Sequence, residues 1–302
     1  MRYDNLASSI NKLGCKVEAD FPMSHITSFR IGGPADMLVT ARDFKDIISV
    51  MQICERNGVP LTYMGNGSNM LVSDKGVDSV VLRLDSKYGE PVIENGLIVC
   101  SAGVPLKKLC IFAKDAELSG LEFAYGIPGS VGGAVYMNAG AYGGQFSDIV
   151  KWVDALFLDG QIHRINSHEL KFGYRHSVFM ENGALVMAAA FHLTSDSPVN
   201  IAERMEDFMS RRREKQPLEY PSAGSFFKRP KGFYAGALIE GSGLKGFSVG
   251  GAQVSDKHAG FIINRGGATC DDVIRLAKIV TKRVLHDNGV MLEPEVRFVG
   301  RK

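Results

Sequence analysis

The sequence has no Cys-x-x-Cys pair, no apolar run long enough to span a bilayer, no excess of one charge and no standard phosphate-loop fingerprint. Each absence excludes something. The five cysteines, Cys15, Cys54, Cys100, Cys110 and Cys270, are scattered and odd in number, which argues against a zinc or dithiol motif and for a reducing compartment. The longest apolar run, residues 184–191, is too short for a membrane helix, and the N-terminal stretch carries no apolar signal core. A soluble, unsecreted, cytoplasmic protein is expected. With 35 basic against 33 acidic residues, a net charge of +2, no overall field favours nucleic acid or an anionic membrane. The one dense basic run, Arg211-Arg212-Arg213, is mixed with Glu203, Glu206, Asp207 and Glu214 and reads as a solvated helix face. No Gly-x-x-x-x-Gly-Lys-Ser/Thr occurs, and no Gly-x-Gly-x-x-Gly opens a helix after a strand. A P-loop ATPase and a plain Rossmann dehydrogenase are thereby disfavoured.

What the chain does have is glycine in two concentrated places. Residues 126–144, GIPGSVGGAVYMNAGAYGG, give up side-chain packing, so that backbone N–H groups can approach a ligand, phosphate oxygens above all. Taken alone, such a stretch is also compatible with tight turns in a β-rich domain. A second loop, Gly65-Asn66-Gly67-Ser68-Asn69, follows directly on residues 61–64, which read as a strand. Backbone donors and short amides at a strand end are a common ligand position, and two such loops in one region favour a phosphate-bearing ligand over turns alone.

At 302 residues and 45% hydrophobic content, the chain suffices for two or three packed cores. Residues 1–14 read as a short helix with Leu6, Ile10 and Leu13 on one face, lying as a lid on the first domain. Residues 28–39 read as strand, turn, strand about Gly32-Gly33-Pro34, and 43–57 as a helix burying Phe44, Ile47, Ile48, Met51 and Cys54. Short strands fill 80–99, and 105–116 is a helix. A β-rich block follows at 149–157, 161–165 and 184–193, with turns at Asp159-Gly160 and Asn182-Gly183. The charged helix 200–215 bridges into a C-terminal domain with a helix at 271–288, facing Val273, Ile274, Ala277, Val280, Val284 and Leu285 inward, and a last strand at 295–299.

Six segments then appear in a specific order: GNGSNML at 65–71, GIPGSVGGAVYMNAGAYG at 126–143, GYRHSVF at 173–179, AGSFFKRP at 223–230, LKGFSVGGAQVS at 244–255 and LEPEVRF at 292–298. Together they resemble the UDP-N-acetylenolpyruvoylglucosamine reductase family over nearly the whole chain. The resemblance implies an α+β fold. It comprises an FAD-binding module of the vanillyl-alcohol-oxidase type in two subdomains, at 21–198 and split near 100, and a C-terminal α/β substrate-binding domain at 199–302. The N-terminal helix is set apart at 1–20. It further implies noncovalent FAD, NADPH as reductant and UDP-N-acetylglucosamine-enolpyruvate as substrate, with no nucleic acid, membrane, metal or obligate protein partner. Flavin contacts are carried over to Gly65, Asn66, Gly67, Ser68, Asn69 and Leu71 in the first loop. In the second they fall on Gly126, Ile127, Pro128, Gly129, Ser130, Gly132, Gly133, Ala134, Asn138, Gly140, Ala141 and Tyr142.

The family reaction passes hydride to C3 of an enolpyruvyl group, and C2 must then be protonated while charge spreads into the carboxylate. By resemblance Ser225 is the proton donor, Arg175 the cation that activates the substrate, and Glu295 the carboxylate that acts with it. A planar, permanently charged fork suits a carboxylate whose charge grows. Glu293 shares a strand face with Glu295 by parity and is placed outside on motif alignment alone. Substrate contacts are carried to Tyr174, Lys215, Arg229, Lys245 and His258, of which Arg229 replaces an asparagine of longer members and His258 a glutamine of some. Between Phe146 and Tyr174 there is no room for the tyrosine-bearing loop of one subclass, so the chain resembles the short subclass. His176, beside Arg175, is read as a backbone placement rather than a general base. The competing readings are an FAD-dependent oxidase of the same fold, which has no need of AGSFF, LKG and LEPE together, and a non-catalytic sensor, in which loss of Ser225, Arg175 or Glu295 is expected.

Overall fold

The computed structural model describes residues 3–301, which divide into two compact units. The first takes the chain up to Glu18, then Met37–Asn66 and Ser79–Arg211; the second takes Ala19–Asp36, Gly67–Asp78 and the chain from Arg212 onward. The last division falls inside the helix Pro198–Lys215.

In the first unit a five-stranded antiparallel sheet runs in the order Ile162–Asn166, Val150–Leu156, Leu185–Phe191, Leu97–Ser101, Val92–Glu94. Its buried side chains join the helix Leu106–Asp115 and the short helix Val131–Tyr136 in one core, with Phe146, Phe179 and Phe191 the largest fully buried members. Leu106, Leu109, Cys110 and Ala113 are buried from the helix. That face follows the three-and-four spacing of the sequence. A second core holds Leu6 and Ile10 of the helix Asp4–Asn11 against Ile47, Val50, Met51 and Cys54 of the helix Phe44–Arg56. The latter helix begins where Asp43 accepts the Asp46 N–H and ends at Asn57, as capping chemistry requires.

A further sheet orders Lys16–Pro22, Pro34–Ala41, Val77–Leu84 and Leu61–Tyr63, the last two parallel. The expected strand at 28–31 is a turn instead. Thr27 Oγ1 donates to Ile31 O at 3.0 Å and Arg30 has φ of +53°, so side-chain capture of the backbone defeats extension there. The strand Lys16–Pro22 carries the alternation Lys16-Val17-Glu18-Ala19-Asp20-Phe21, a strand signal that the sequence expectation passed over, although its burial in the fold does not follow that alternation.

In the second unit the antiparallel order is Ser222–Ser225, Phe261–Asn264, Ala252–Val254, Ser248–Val249. The helix Cys270–Asn288 buries Val273, Leu276, Ala277, Val280 and Val284 in the same core as Phe226, Phe227 and Ile262. Thr269 caps it in a reciprocal box with Asp272, and Asp74 accepts from the N–H groups of Cys270 and Asp271 at 2.8 and 3.0 Å. The amides of this helix start are thereby paired within the protein. Leu285, expected inward, is exposed, and Leu276 takes a core position instead. Arg212 is only 5% exposed, so the basic run is not wholly a solvated face.

Candidate active site

The two glycine loops meet within the first unit. A Cβ on Gly65 would stand 2.4 Å from Ser130 Oγ, and Ser130 caps the short helix Val131–Tyr136 by accepting the Gly133 N–H at 3.3 Å. No side chain fits at position 65 without displacing the cap. At the other end of the stretch, a Cβ on Gly144 would lie 2.6 Å from the Phe123 ring. Several amides that the sequence offered to a ligand are already used. Gly129 N–H donates to Ile127 O, Val131 N–H to Val104 O and Gly132 N–H to Ala102 O, each at 2.9 Å. The glycines therefore serve close packing as well as any ligand, and the simple picture of a row of free donors is corrected at these positions.

Segment 65–71 straddles the division of the chain, with Gly65 and Asn66 in the first unit and Gly67, Ser68, Asn69 and Leu71 in the second. Leu71 and Ala134 are buried in apolar cores. Gly126, Ile127 and Gly129 are half-buried, while Gly65, Pro128 and Gly133 are exposed. Gly140-Ala141 and Gly144-Gln145 pair as a two-stranded ribbon whose turn, Tyr142-Gly143, has φ of +53° and +90°. Both central residues left-handed is the tight hairpin geometry. Tyr142 stacks on Phe208 with ring centroids 4.8 Å apart and 3° between planes.

The same unit carries Arg175. It occupies a second tight turn, in which Gly173 and His176 exchange both backbone hydrogen bonds at 3.1 and 3.2 Å, and its φ is +53°. Arg175 Nη2 donates to Gly140 O at 3.2 Å and the guanidinium carbon lies 5.0 Å from the Tyr174 ring centroid. Asn138, buried at 2% exposure, accepts the Ser147 N–H on Oδ1 at 2.8 Å and donates from Nδ2 to Gly173 O at 2.9 Å. His176 Nε2 pairs with Glu181 Oε1 at 3.1 Å, and Lys171 with the other oxygen at 2.9 Å, in keeping with a structural histidine.

Sequence reasoning missed the anchor in front of the long loop. Glu122, 6% exposed, receives Arg204 Nη2 at 2.7 Å, Ser119 Oγ at 2.9 Å and Gly120 N–H at 2.8 Å, while Arg204 also reaches Asp196. Burial alone would raise the Glu122 carboxyl, but Arg204 and the backbone and hydroxyl donors outweigh it and hold it below its ordinary value. A carboxyl depressed on folding stabilises above its unfolded pKa, and that stability is lost as pH falls through the folded one. Glu122→Gln is expected to cost about 1–3 kcal/mol near neutral pH. Urea midpoints of wild type and variant should then converge on acidification; a gap that stayed constant would show that the Glu122 charge plays no part.

The second unit holds Ser225 and Glu295. Ser225 ends the strand Ser222–Ser225 opposite Phe261, is exposed, and follows Gly224 at φ of +77°. Phe226 and Phe227 are both buried in one core, rings 5.1 Å apart, and anchor the continuing chain. Phe226 O accepts the Glu295 N–H at 2.8 Å, and Asn69 Nδ2 donates to Glu295 O at 3.3 Å. Ser225 and Glu295 are thus tied through one residue of backbone. Glu293 is exposed and lies 3.5 Å from Lys228, so the two glutamates that parity could not separate occupy different surroundings.

The remaining candidates are cationic or aromatic. Lys245 pairs with Glu240 at 2.7 Å, Arg229 stands 4.0 Å over the Tyr234 ring, Lys215 is exposed at the end of its helix, and Tyr174 is exposed. His258 Nδ1 accepts the Gly260 N–H at 3.0 Å, and its ring meets Phe261 edge-on at 5.0 Å. Burial pushes its pKa down, so the imidazole is neutral with the proton on Nε2.

A family model described as FAD binding domain matches residues 35–166, and one described as UDP-N-acetylenolpyruvoylglucosamine reductase, C-terminal domain, matches residues 216–299. The UDP-N-acetylenolpyruvoylglucosamine reductase of Syntrophomonas wolfei is 47% identical over 287 residues, covering 95% of this chain and 96% of that one. The enzyme of that name from Clostridium kluyveri is 46% identical over 284 residues, covering 94% and 93%. Among solved structures, UDP-N-acetylenolpyruvylglucosamine reductase from Thermus caldophilus matches with a TM-score of 0.80 at 35% identity, over 94% of this chain and 98% of that one.

Proposed function

The chain belongs to the UDP-N-acetylenolpyruvoylglucosamine reductase family, and from that premise we propose that it reduces UDP-N-acetylglucosamine-enolpyruvate to UDP-N-acetylmuramate for peptidoglycan synthesis, with NADPH as the electron source. It is an FAD-dependent oxidoreductase. The observation that carries the finer reading is the exposed Ser225 on a strand whose next residue holds the Glu295 backbone, inside the span that matches the family's C-terminal domain.

The residues fit a flavin dinucleotide. Neither 65–71 nor 126–144 contains an acidic side chain, so nothing in the loops repels a diphosphate. The exposed positions at Gly65 and Gly133 let a flat or phosphorylated group come against backbone. Residues 65–71 and 126–144 would hold the flavin, which when bound would supply two-electron hydride chemistry at C3 of the enolpyruvyl group. Ser225 Oγ gives its proton to C2 as the new C–H bond forms, and a proton from solvent restores the hydroxyl. Arg175 pairs with the substrate carboxylate, where charge accumulates before C2 is protonated. Glu295 acts with Arg175 to polarise the enol ether. Per turnover one NADPH and one proton are consumed and one NADP+ is released. We assign Tyr174, Lys215, Arg229 and Lys245 to the nucleotide and diphosphate, with His258 as a neutral hydrogen-bond donor. Residues 21–198 are proposed as the flavin module and 199–302 as the substrate module.

Among the described residues no helix is long and apolar enough to cross a membrane, and all five cysteines are free and buried. Reduced thiols support a cytoplasmic setting. The direct test is spectroscopic. Under anaerobic conditions the flavin band of the holoenzyme should bleach with NADPH and return on addition of the enolpyruvyl substrate. Return with oxygen alone would point to the oxidase, and a protein that takes up no FAD would defeat the reading of both loops.

A further inference from the structure

Asn138 was carried over as a flavin contact, but its side chain is turned to other work. It is 2% exposed and itself has φ of +42°, in the left-handed region that asparagine tolerates better than most residues. Oδ1 accepts the Ser147 N–H at 2.8 Å, and Nδ2 donates to Gly173 O at 2.9 Å with Gln145 Oε1 at 3.5 Å. Gly173 closes the turn that carries Arg175, and Gln145 pairs with Gly140, whose carbonyl receives the Arg175 guanidinium at 3.2 Å. One buried amide therefore touches both the base of the turn that sets the Arg175 backbone and the ribbon that receives its side chain. Arg175 is held at φ of +53°, a conformation that a side chain other than glycine's keeps only when its surroundings impose it. A second pin, Ser177 Oγ to Tyr136 O at 2.6 Å, holds the far side of the same turn.

We propose that Asn138 is a positioning residue that sets the direction of the Arg175 guanidinium toward the substrate carboxylate, and that it acts through Arg175 rather than through the flavin. The inference rests on the role given to Arg175 above. The amide alone satisfies the geometry: its oxygen serves a backbone N–H and its NH2 serves a carbonyl. Asn138→Asp keeps the left-handed residue and the acceptor but sets an acceptor oxygen against the Gly173 carbonyl.

The test uses the flavin-loaded enzyme and reads the two half-reactions separately by stopped-flow absorbance, with FAD stoichiometry and melting recorded alongside. In Asn138→Asp, FAD content and the rate of flavin reduction by NADPH should stay within about threefold of wild type, while reoxidation by the enolpyruvyl substrate falls about 100-fold, the scale of an ångström-sized misplacement. In an Arg175→Ala background the same substitution should change reoxidation by less than about threefold, because a residue acting through Arg175 has nothing left to position. Equal loss of both half-reactions, loss of FAD, or a full 100-fold effect that persists without Arg175 overturns the proposal. If the aspartate variant does not fold, Asn138→Ser, too short to reach Gly173, is read in the same way. Failure of both to fold makes Asn138 a strut and also overturns it. The reading of Arg175 fails separately, if Arg175→Ala alone leaves reoxidation unchanged.

Discussion

Ser225→Ala holoenzyme is expected to bleach with NADPH at nearly the wild-type rate and then to recover its flavin band with the enolpyruvyl substrate about 10⁴-fold more slowly. Loss of that size is about 5 kcal/mol of barrier. The hydroxyl is needed only once charge has reached C2, so removing it leaves the first half-reaction without a missing part. The backbone gives no reason for collateral damage. Ser225 is exposed, its place opposite Phe261 is set by strand pairing, and the next N–H is bound to Gly260 O at 2.8 Å whatever side chain stands at 225. A melting temperature close to wild type should accompany the loss. Ser225→Cys keeps a proton on a more acidic atom and should recover part of the rate. Equal slowing of both half-reactions in the alanine variant would make Ser225 structural and remove the proton donor from the mechanism.

What the sequence made legible follows the kind of signal each element carries. The helices Phe44–Arg56, Leu106–Asp115 and Cys270–Asn288 were visible because apolar residues repeat at helical spacing along each of them. The antiparallel block was visible from its turns, with Gly160 at φ of +82° and Gly183 at φ of +69° where expected. The strand Lys16–Pro22 was legible too, since Lys16 to Phe21 alternate polar and apolar residues, whereas the turn at Thr27 depends on a hydrogen bond between a side chain and a backbone four residues away.

The candidate site divides along the same line. The glycine loops could be seen as unusual, and their residue chemistry pointed to a phosphate-bearing ligand, but composition is silent on which amides are already spent. Gly132 N–H goes to Ala102 O, and that pairing exists only once the chain has folded. The anchor of Glu122 by Arg204 joins residues 82 apart in sequence, so no local pattern announces it. A buried carboxylate beside the loop was open to suspicion from Glu122 lying among apolar neighbours, Leu121 and Phe123; its partner was not. Asn138, a motif position carried over as a ligand contact, has both ends of its amide bound within the protein, which no motif announces.

The pair Glu293 and Glu295 is where structure adds most to the chemistry, and replacing each with glutamine should separate them. Glu295→Gln is expected to slow substrate reduction about 10³-fold, within the range that a positioned carboxylate contributes, and Glu293→Gln to change it by less than about twofold. Parity puts both side chains on one face of an extended segment, so residue type and spacing give no preference. Burial and partners do. Glu293 is exposed with Lys228 3.5 Å away, a surface pair of the kind worth little to stability. Glu295 is half-buried, its N–H bound to Phe226 O at 2.8 Å and its carbonyl to Asn69 Nδ2 at 3.3 Å. Its main chain is fixed from two sides, next to the residue that follows Ser225. Glutamine keeps the shape and removes the charge, so a loss at 295 reports on the charge rather than on packing. Flavin reduction by NADPH serves as the internal control for both variants. If the two glutamines slowed the enolpyruvyl half-reaction equally, the role would belong to the summed field of the segment. If only Glu293→Gln did so, the register carried over from the motif would be wrong by two residues, and Glu293 would replace Glu295 beside the enol ether.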